Sequence, residues 1–79
     1  MHENLMAALA QWNPALGRDI ARDTPLLTTG RLDSASVFQL LLWVEEHVGR
    51  PVDVTKVDMP VEWNTIDLIV AFVERERVR

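Results

Sequence analysis

The chain contains no cysteine. That absence removes disulfides, thiolate metal sites and a thiol nucleophile in one step. Any sulfur chemistry must therefore arrive on an added group. A small cysteine-free domain also suits a reducing compartment. Histidine is scarce, with only His2 and His47, and no HxxxH or HExxH spacing exists. No metal site is expected. Gly30 has no glycine near it, so there is no phosphate-cradling loop. Basic residues are outnumbered, eight Lys and Arg against twelve Asp and Glu, for a net charge of −4. Nucleic acid, whose phosphates need a basic face, is excluded as a partner by that balance. Long apolar runs are also missing. The longest, Leu40 to Val44, falls far short of the roughly 20 residues that span a bilayer. The start Met1-His2-Glu3-Asn4 lacks a basic region and a continuous apolar stretch, which predicts no signal peptide. The expectation is one monomeric, cytoplasmic domain over residues 1–79, without a membrane partner.

What is present points to helices. Hydrophobic residues make up 48% of the chain, as in a globular protein. Leu5, Leu9 and Trp12 recur at helical spacing, and Asn13-Pro14 ends that run, predicting a first helix over about 3–12. Residues 34–48 predict a second helix, closed by Gly49 with Pro51 just beyond. Ile66, Ile69, Val70 and Val73 mark a last helix over about 65–77, with Thr65 as its N-cap and Asp67 in its first turn. Arg75, Arg77 and Arg79 suit its C-terminal end. Pro60-Val61-Glu62-Trp63 reads as a short helical turn. Pro51 to Thr55 alternates like a strand, but a lone strand has no partner, so it reads as extended loop. The fold class is all-α: a small four-helix bundle of three longer helices and one short one, with a long first loop. Leu16, Ile20, Leu26, Leu27 and Leu32 can pin that loop to the core.

The most informative position is Ser34, where a polar loop becomes the second helix. Asp33 or Ser34 is the N-cap. A serine hydroxyl there is exposed, beside free backbone N–H groups and the positive end of a helix dipole. An anion on that hydroxyl would be held where helix N-termini favour negative charge.

On a wheel at about 100° per residue, Leu41, Val44 and Val48 fall within about 40° of Val37, with Leu40 about 60° away. These predict the core stripe. Phe38 and Leu42 lie about 100° and 140° away, and Ala35 near 160°. The helix thus carries a second apolar strip, Ala35-Phe38-Leu42, flanked by Gln39, Glu45 and Glu46. Two readings compete: a wide core face with the long loop over it, or a docking face whose carboxylates meet a partner's basic residues. Burying a Phe and a Leu at a partner contributes roughly 1.5–3 kcal/mol each before ordering costs, which suits transient association.

Catalysis by the chain itself is not expected. His2 sits at a terminus expected to fray. His47 lies 13 residues beyond Ser34, roughly 20 Å away along a straight helix. The acidic residues read as solvated charges. Trp12, Trp43 and Trp63 read as packing residues.

Leu32-Asp33-Ser34 opening an apolar helix, and Leu40 through Glu45-Glu46-His47-Val48-Gly49 closing it, resemble the acyl carrier protein and peptidyl carrier protein family. Asp23-Thr24-Pro25-Leu26-Leu27 resembles the loop before that family's serine. Pro60-Val61-Glu62-Trp63-Asn64-Thr65-Ile66-Asp67-Leu68-Ile69 looks like its short third helix leading into the last. The resemblance covers nearly the whole chain. It implies that Ser34 is the attachment site for phosphopantetheine from coenzyme A, installed by a phosphopantetheinyl transferase. Asp33 would be the flanking motif residue. The arm's thiol would hold an acyl or aminoacyl thioester. Partners would be a loading ligase or acyltransferase and a downstream synthase or transferase, on a docking face of Ala35, Phe38, Gln39, Leu42, Glu45 and Glu46. Two positions depart from the family pattern: Ala35 replaces a larger apolar residue, and Gln39 a glutamate. Together with Gly30-Arg31-Leu32-Asp33-Ser34, they favour a discrete carrier of a specialised polyketide or nonribosomal peptide pathway. The alternative is a non-covalent helical adaptor that uses the same strip and leaves Ser34 unmodified.

Overall fold

The computed structural model describes residues 2–13, 20–30 and 32–77. Four α-helices follow in order: α1 (His2–Trp12), α2 (Ser34–Val48), α3 (Met59–Glu62) and α4 (Ile66–Glu76). There is no strand among the described residues. The three longer helices pack pairwise on one another, and α3 leans on α4. The Cα radius of gyration is 11.6 Å, the value of about 12 Å expected for a compact chain of this length.

The helix ends follow from local chemistry. Asp33 has extended backbone angles and its carboxylate accepts the Ser36 amide at 2.8 Å, so Asp33, not Ser34, is the N-cap of α2. Gly49 closes α2 at φ 88, a left-handed conformation that glycine adopts without a Cβ penalty. Its amide donates to the Glu45 carbonyl at 2.9 Å. Thr65 caps α4 by accepting the Leu68 amide at 3.1 Å, and Asp67 lies in the first turn. The short helix α3 starts one residue before Pro60. The Pro51–Thr55 stretch is not extended throughout. Val54–Lys56 form a 3-10 turn, because Asp53 accepts the Thr55 amide at 3.0 Å and its hydroxyl at 2.6 Å.

Leu5 and Leu9 of α1, Leu40, Trp43, Val44 and Val48 of α2, and Ile66, Ile69, Val70, Phe72 and Val73 of α4 form the core. Trp63 closes it from below α3, fully buried, with its ring edge-on to Phe72 at 5.4 Å. From the long loop, Ile20, Leu26 and Leu32 are buried and Leu27 packs against them; Leu16 lies outside the described residues.

The core face of α2 differs from the expected one. Val37 and Leu41 are only half-buried, while Ser36, Leu40 and Trp43 join Val44 and Val48 inside. The buried arc is rotated by about 60° from Val37. Ser36 tolerates burial because its hydroxyl, like its amide, donates to the Asp33 carboxylate. The rotation moves the second strip further from the core. Phe38 is 59% exposed and Leu42 45% exposed. The wide-core reading of these two residues therefore fails.

Leu40→Ala is expected to destabilise the fold by about 2–5 kcal/mol, as a large-to-small change in a packed core. Phe38→Ala is expected to stay within about 0.5 kcal/mol. Urea denaturation of both variants checks this, and equal losses would contradict the two-faced helix.

Candidate functional site

Ser34 is the first residue of α2, and its side chain is exposed. Among the described residues no hydrogen bond involves its hydroxyl. The Val37 amide already bonds to the Asp33 carbonyl at 2.9 Å and the Ser36 amide to the Asp33 side chain. The Ser34 and Ala35 amides come too early in the helix for an intrahelical acceptor. There is no acidic residue in the first turn of α2. A phosphodiester on the Ser34 oxygen would meet open solvent, two N–H donors without a partner among the described residues and the positive helix end. These residues fit such a group.

Asp33 is turned to a structural task beside it. Its carboxyl is held below its ordinary value of 3.8, first by the Ser36 amide hydrogen bond and then by the Ser36 hydroxyl. Both favour the ionised form.

The loop before Ser34 is anchored at two points on the start of α4. Arg22 is the first: its carbonyl accepts the Asp67 amide at 3.0 Å, and its Nε donates to Asp67 Oδ1 at 2.9 Å. His2 Nε2 lies 3.0 Å from the same oxygen and 3.2 Å from an Arg22 guanidinium nitrogen. His2 is thus tied to two other elements, contrary to the expected frayed end. The Arg22 hydrogen bond, its charge and His2 together hold the Asp67 carboxyl below its ordinary range. Asn64 is the second anchor. Its carbonyl accepts the Leu26 amide at 2.6 Å. Its side-chain oxygen accepts the Leu27 amide at 2.9 Å and the Thr28 amide at 3.1 Å. No periodicity or motif singles out Asn64 in the sequence, because its partners lie 36 and 37 residues away.

The loop ends in a turn that only glycine makes cheaply. Gly30 sits at φ +72, with open space where a Cβ would go, so any substitution there is strained by conformation rather than by crowding. Its amide donates to the Leu27 carbonyl at 3.2 Å, and the Leu32 amide to the Leu26 carbonyl at 3.3 Å.

Along α2, Ser34, Phe38 and Leu42 follow one another at i, i+4 and i+8, a single surface ridge. All three are exposed, as are the flanking Ala35, Gln39 and Glu46. Glu45 is different. It is half-buried, and its carboxylate accepts the Val52 amide at 2.8 Å, so it holds the chain after α2. Val61 of α3 is 63% exposed and Leu68 of α4 is also exposed; neither stood out in the sequence. His47 is remote from Ser34. Its Nδ1 lies 2.9 Å from the Trp43 carbonyl, and its ring stacks on Trp43 at 4.0 Å.

A cleft of about 260 Å³ opens at the C-terminal end of α2, lined in part by Val52, Lys56, Val57 and Phe72. Its arginines are paired within the chain, Arg50 with Glu76 at 3.4 Å and Arg75 with Glu62 at 3.2 Å. Among the described residues no group of three or more His, Cys, Asp or Glu side chains could hold a metal ion. Nor is any helix long and apolar enough to cross a membrane.

The depressed Asp33 carboxyl sets an acid dependence. Its stabilising contribution is fully present above 3.8 and is lost as pH falls through the lower folded value. The stability gap between wild type and Asp33→Ala should therefore be constant at neutral pH and close below 3.8. Denaturant midpoints measured across that range check it, and a gap independent of pH would contradict the cap. Comparison of the chain with family models, curated proteins and solved structures found no match.

Proposed function

We propose that the protein is an acyl or aminoacyl carrier and that Ser34 is its covalent tether point. One observation carries this reading: a hydroxyl without a hydrogen-bond partner among the described residues, on the first residue of a helix, heads a ridge of exposed apolar side chains. A serine used only as a cap would bond to a backbone amide, and Asp33 performs that task instead.

Modification of Ser34 needs an outside enzyme, because no base among the described residues bonds to its hydroxyl. In a phosphopantetheinyl transferase reaction, the Ser34 oxygen would attack the pantetheine-bearing phosphorus of coenzyme A. The new P–O bond replaces the bond to the adenosine bisphosphate half, which leaves. The serine proton passes to a base on the transferase, which also brings the metal. Phosphopantetheine supplies a terminal thiol, the sulfur nucleophile that this cysteine-free chain lacks. The chain's own contribution is to present Ser34, stabilise the diester charge at the α2 N-terminus and offer a docking ridge.

The ridge residues Phe38 and Leu42, with Ala35, Gln39 and Glu46 beside them, are the proposed contact for the transferase, a loading ligase or acyltransferase and a downstream synthase. Glu45 leaves that set, since its carboxylate is spent on Val52. Small Ala35 and uncharged Gln39 favour a dedicated set of partners in a specialised biosynthetic pathway.

Incubation with coenzyme A and a broad-specificity phosphopantetheinyl transferase should add one phosphopantetheine mass to wild type and none to Ser34→Ala. An unmodified wild type, or equal yields, would overturn the carrier reading in favour of the adaptor. Phe38→Ala and Leu42→Ala should slow that transfer while keeping the wild-type melting temperature. Unchanged transfer rates would remove the ridge from the docking surface.

A further inference from the structure

We propose that Asn64 is the positioning residue for Ser34, acting through residues 26–30 and the Leu32-Asp33 pair. The inference rests on the carrier reading of Ser34. It begins with an unbroken series of contacts. Asn64 holds the amides of Leu26, Leu27 and Thr28, the first through its carbonyl and the other two through its side-chain oxygen. Leu26 and Leu27 are the same residues whose carbonyls receive the Leu32 and Gly30 amides. Leu32 is buried in the core, and Asp33 directly after it caps α2 at Ser36. Ser34 follows. Each end of the turn that delivers Ser34 is therefore referred back to one asparagine.

That asparagine is itself fixed. It stands between Trp63, which is fully buried, and Thr65, which caps α4. Its side-chain amide also lies 3.3 Å from the Thr28 hydroxyl, so both halves of the amide face the loop. An acceptor that serves two consecutive backbone N–H groups fixes the direction of the chain as well as its distance. The burial of Leu26 and Leu32 cannot do that, because apolar contact is non-directional. Burial keeps the loop on the protein, and Asn64 sets its register there.

Loss of this clasp leaves exposed amides that water can satisfy at Thr28, so the fold should survive it. What changes is the presentation of the Ser34 oxygen. A displacement of about 1 Å at a reacting group can cost up to about a hundredfold in rate. The affinity for the transferase, set by the Phe38–Leu42 ridge, should change little.

The test is the rate of phosphopantetheine transfer from coenzyme A by a broad-specificity transferase, read by intact mass over a range of carrier concentrations. Asn64→Ala is expected to lower kcat about tenfold or more and to change KM less than about twofold. Asn64→Asp keeps an oxygen acceptor and should recover most of the rate. Val73→Ala, an apolar core change in α4 that removes no hydrogen bond to the loop, should lower the melting temperature and leave kcat intact. If Asn64→Ala fails to fold by circular dichroism, Asn64→Gln replaces it, moving the oxygen by one methylene, with the same expected loss. A wild-type kcat in the Asn64 variant, or an equal loss in Val73→Ala, would overturn the positioning role alone. A wild type that accepts no phosphopantetheine would overturn the carrier reading, and the positioning role with it.

Discussion

The loop before α2, described over residues 20–30 and 32–33, keeps a fixed path only if its backbone groups find partners outside it. Here the junction between α3 and α4 supplies them. Asn64 accepts the amides of Leu26, Leu27 and Thr28, and the Asp67 amide donates to the Arg22 carbonyl. With the loop held there, Leu26 and Leu32 can complete the core and Asp33 arrives where α2 must begin. Each single surface contact is weak, and a solvent-screened pair such as Arg22–Asp67 adds little by itself. Their effect comes from converging on one short stretch of chain, between the buried Trp63 and the start of α4.

The second constraint lies in α2. A helix apolar on one stripe buries it and is finished. α2 is apolar on two nearly opposite stripes, and a bundle this small covers only one. Leu40, Val44 and Val48 go inside, and Phe38 and Leu42 remain in water. The exposed stripe shares its line with Ser34, so the chemically open hydroxyl and the sticky surface face the same way. In the proposed carrier role, a weak, apolar, reusable contact beside the tether point would serve successive visits by different enzymes.

Much of the fold was legible in the chain. The bounds of α2 follow from Asp33 at one end and Gly49 at the other, and Thr65 announces α4. These are local signals, set by residues within one helical turn. The errors have a common physical origin in tertiary choice. Val37 anchors an apolar stripe on paper, yet the bundle buries Ser36 and Trp43 instead, because α1 and α4 approach α2 from that side. His2 reads as a loose end until Asp67 and Arg22 are brought to it across the chain. Glu45 reads as a surface charge until the Val52 amide folds back onto it. No periodicity marks Asn64 out within its run, since a half-buried asparagine declares its task only when its partners arrive. Ser34 was legible as a position, and the structure adds that Asp33 relieves it of capping.

The central claim is that Ser34 bears a covalent arm in the protein's working state. Its most direct test is the intact mass of the protein purified from its native cells, followed by fragmentation of the peptide around Ser34. The account predicts a phosphopantetheine increment on that residue, part of it extended by a thioester-bound acyl or aminoacyl group. An unmodified Ser34 in the whole population would contradict it.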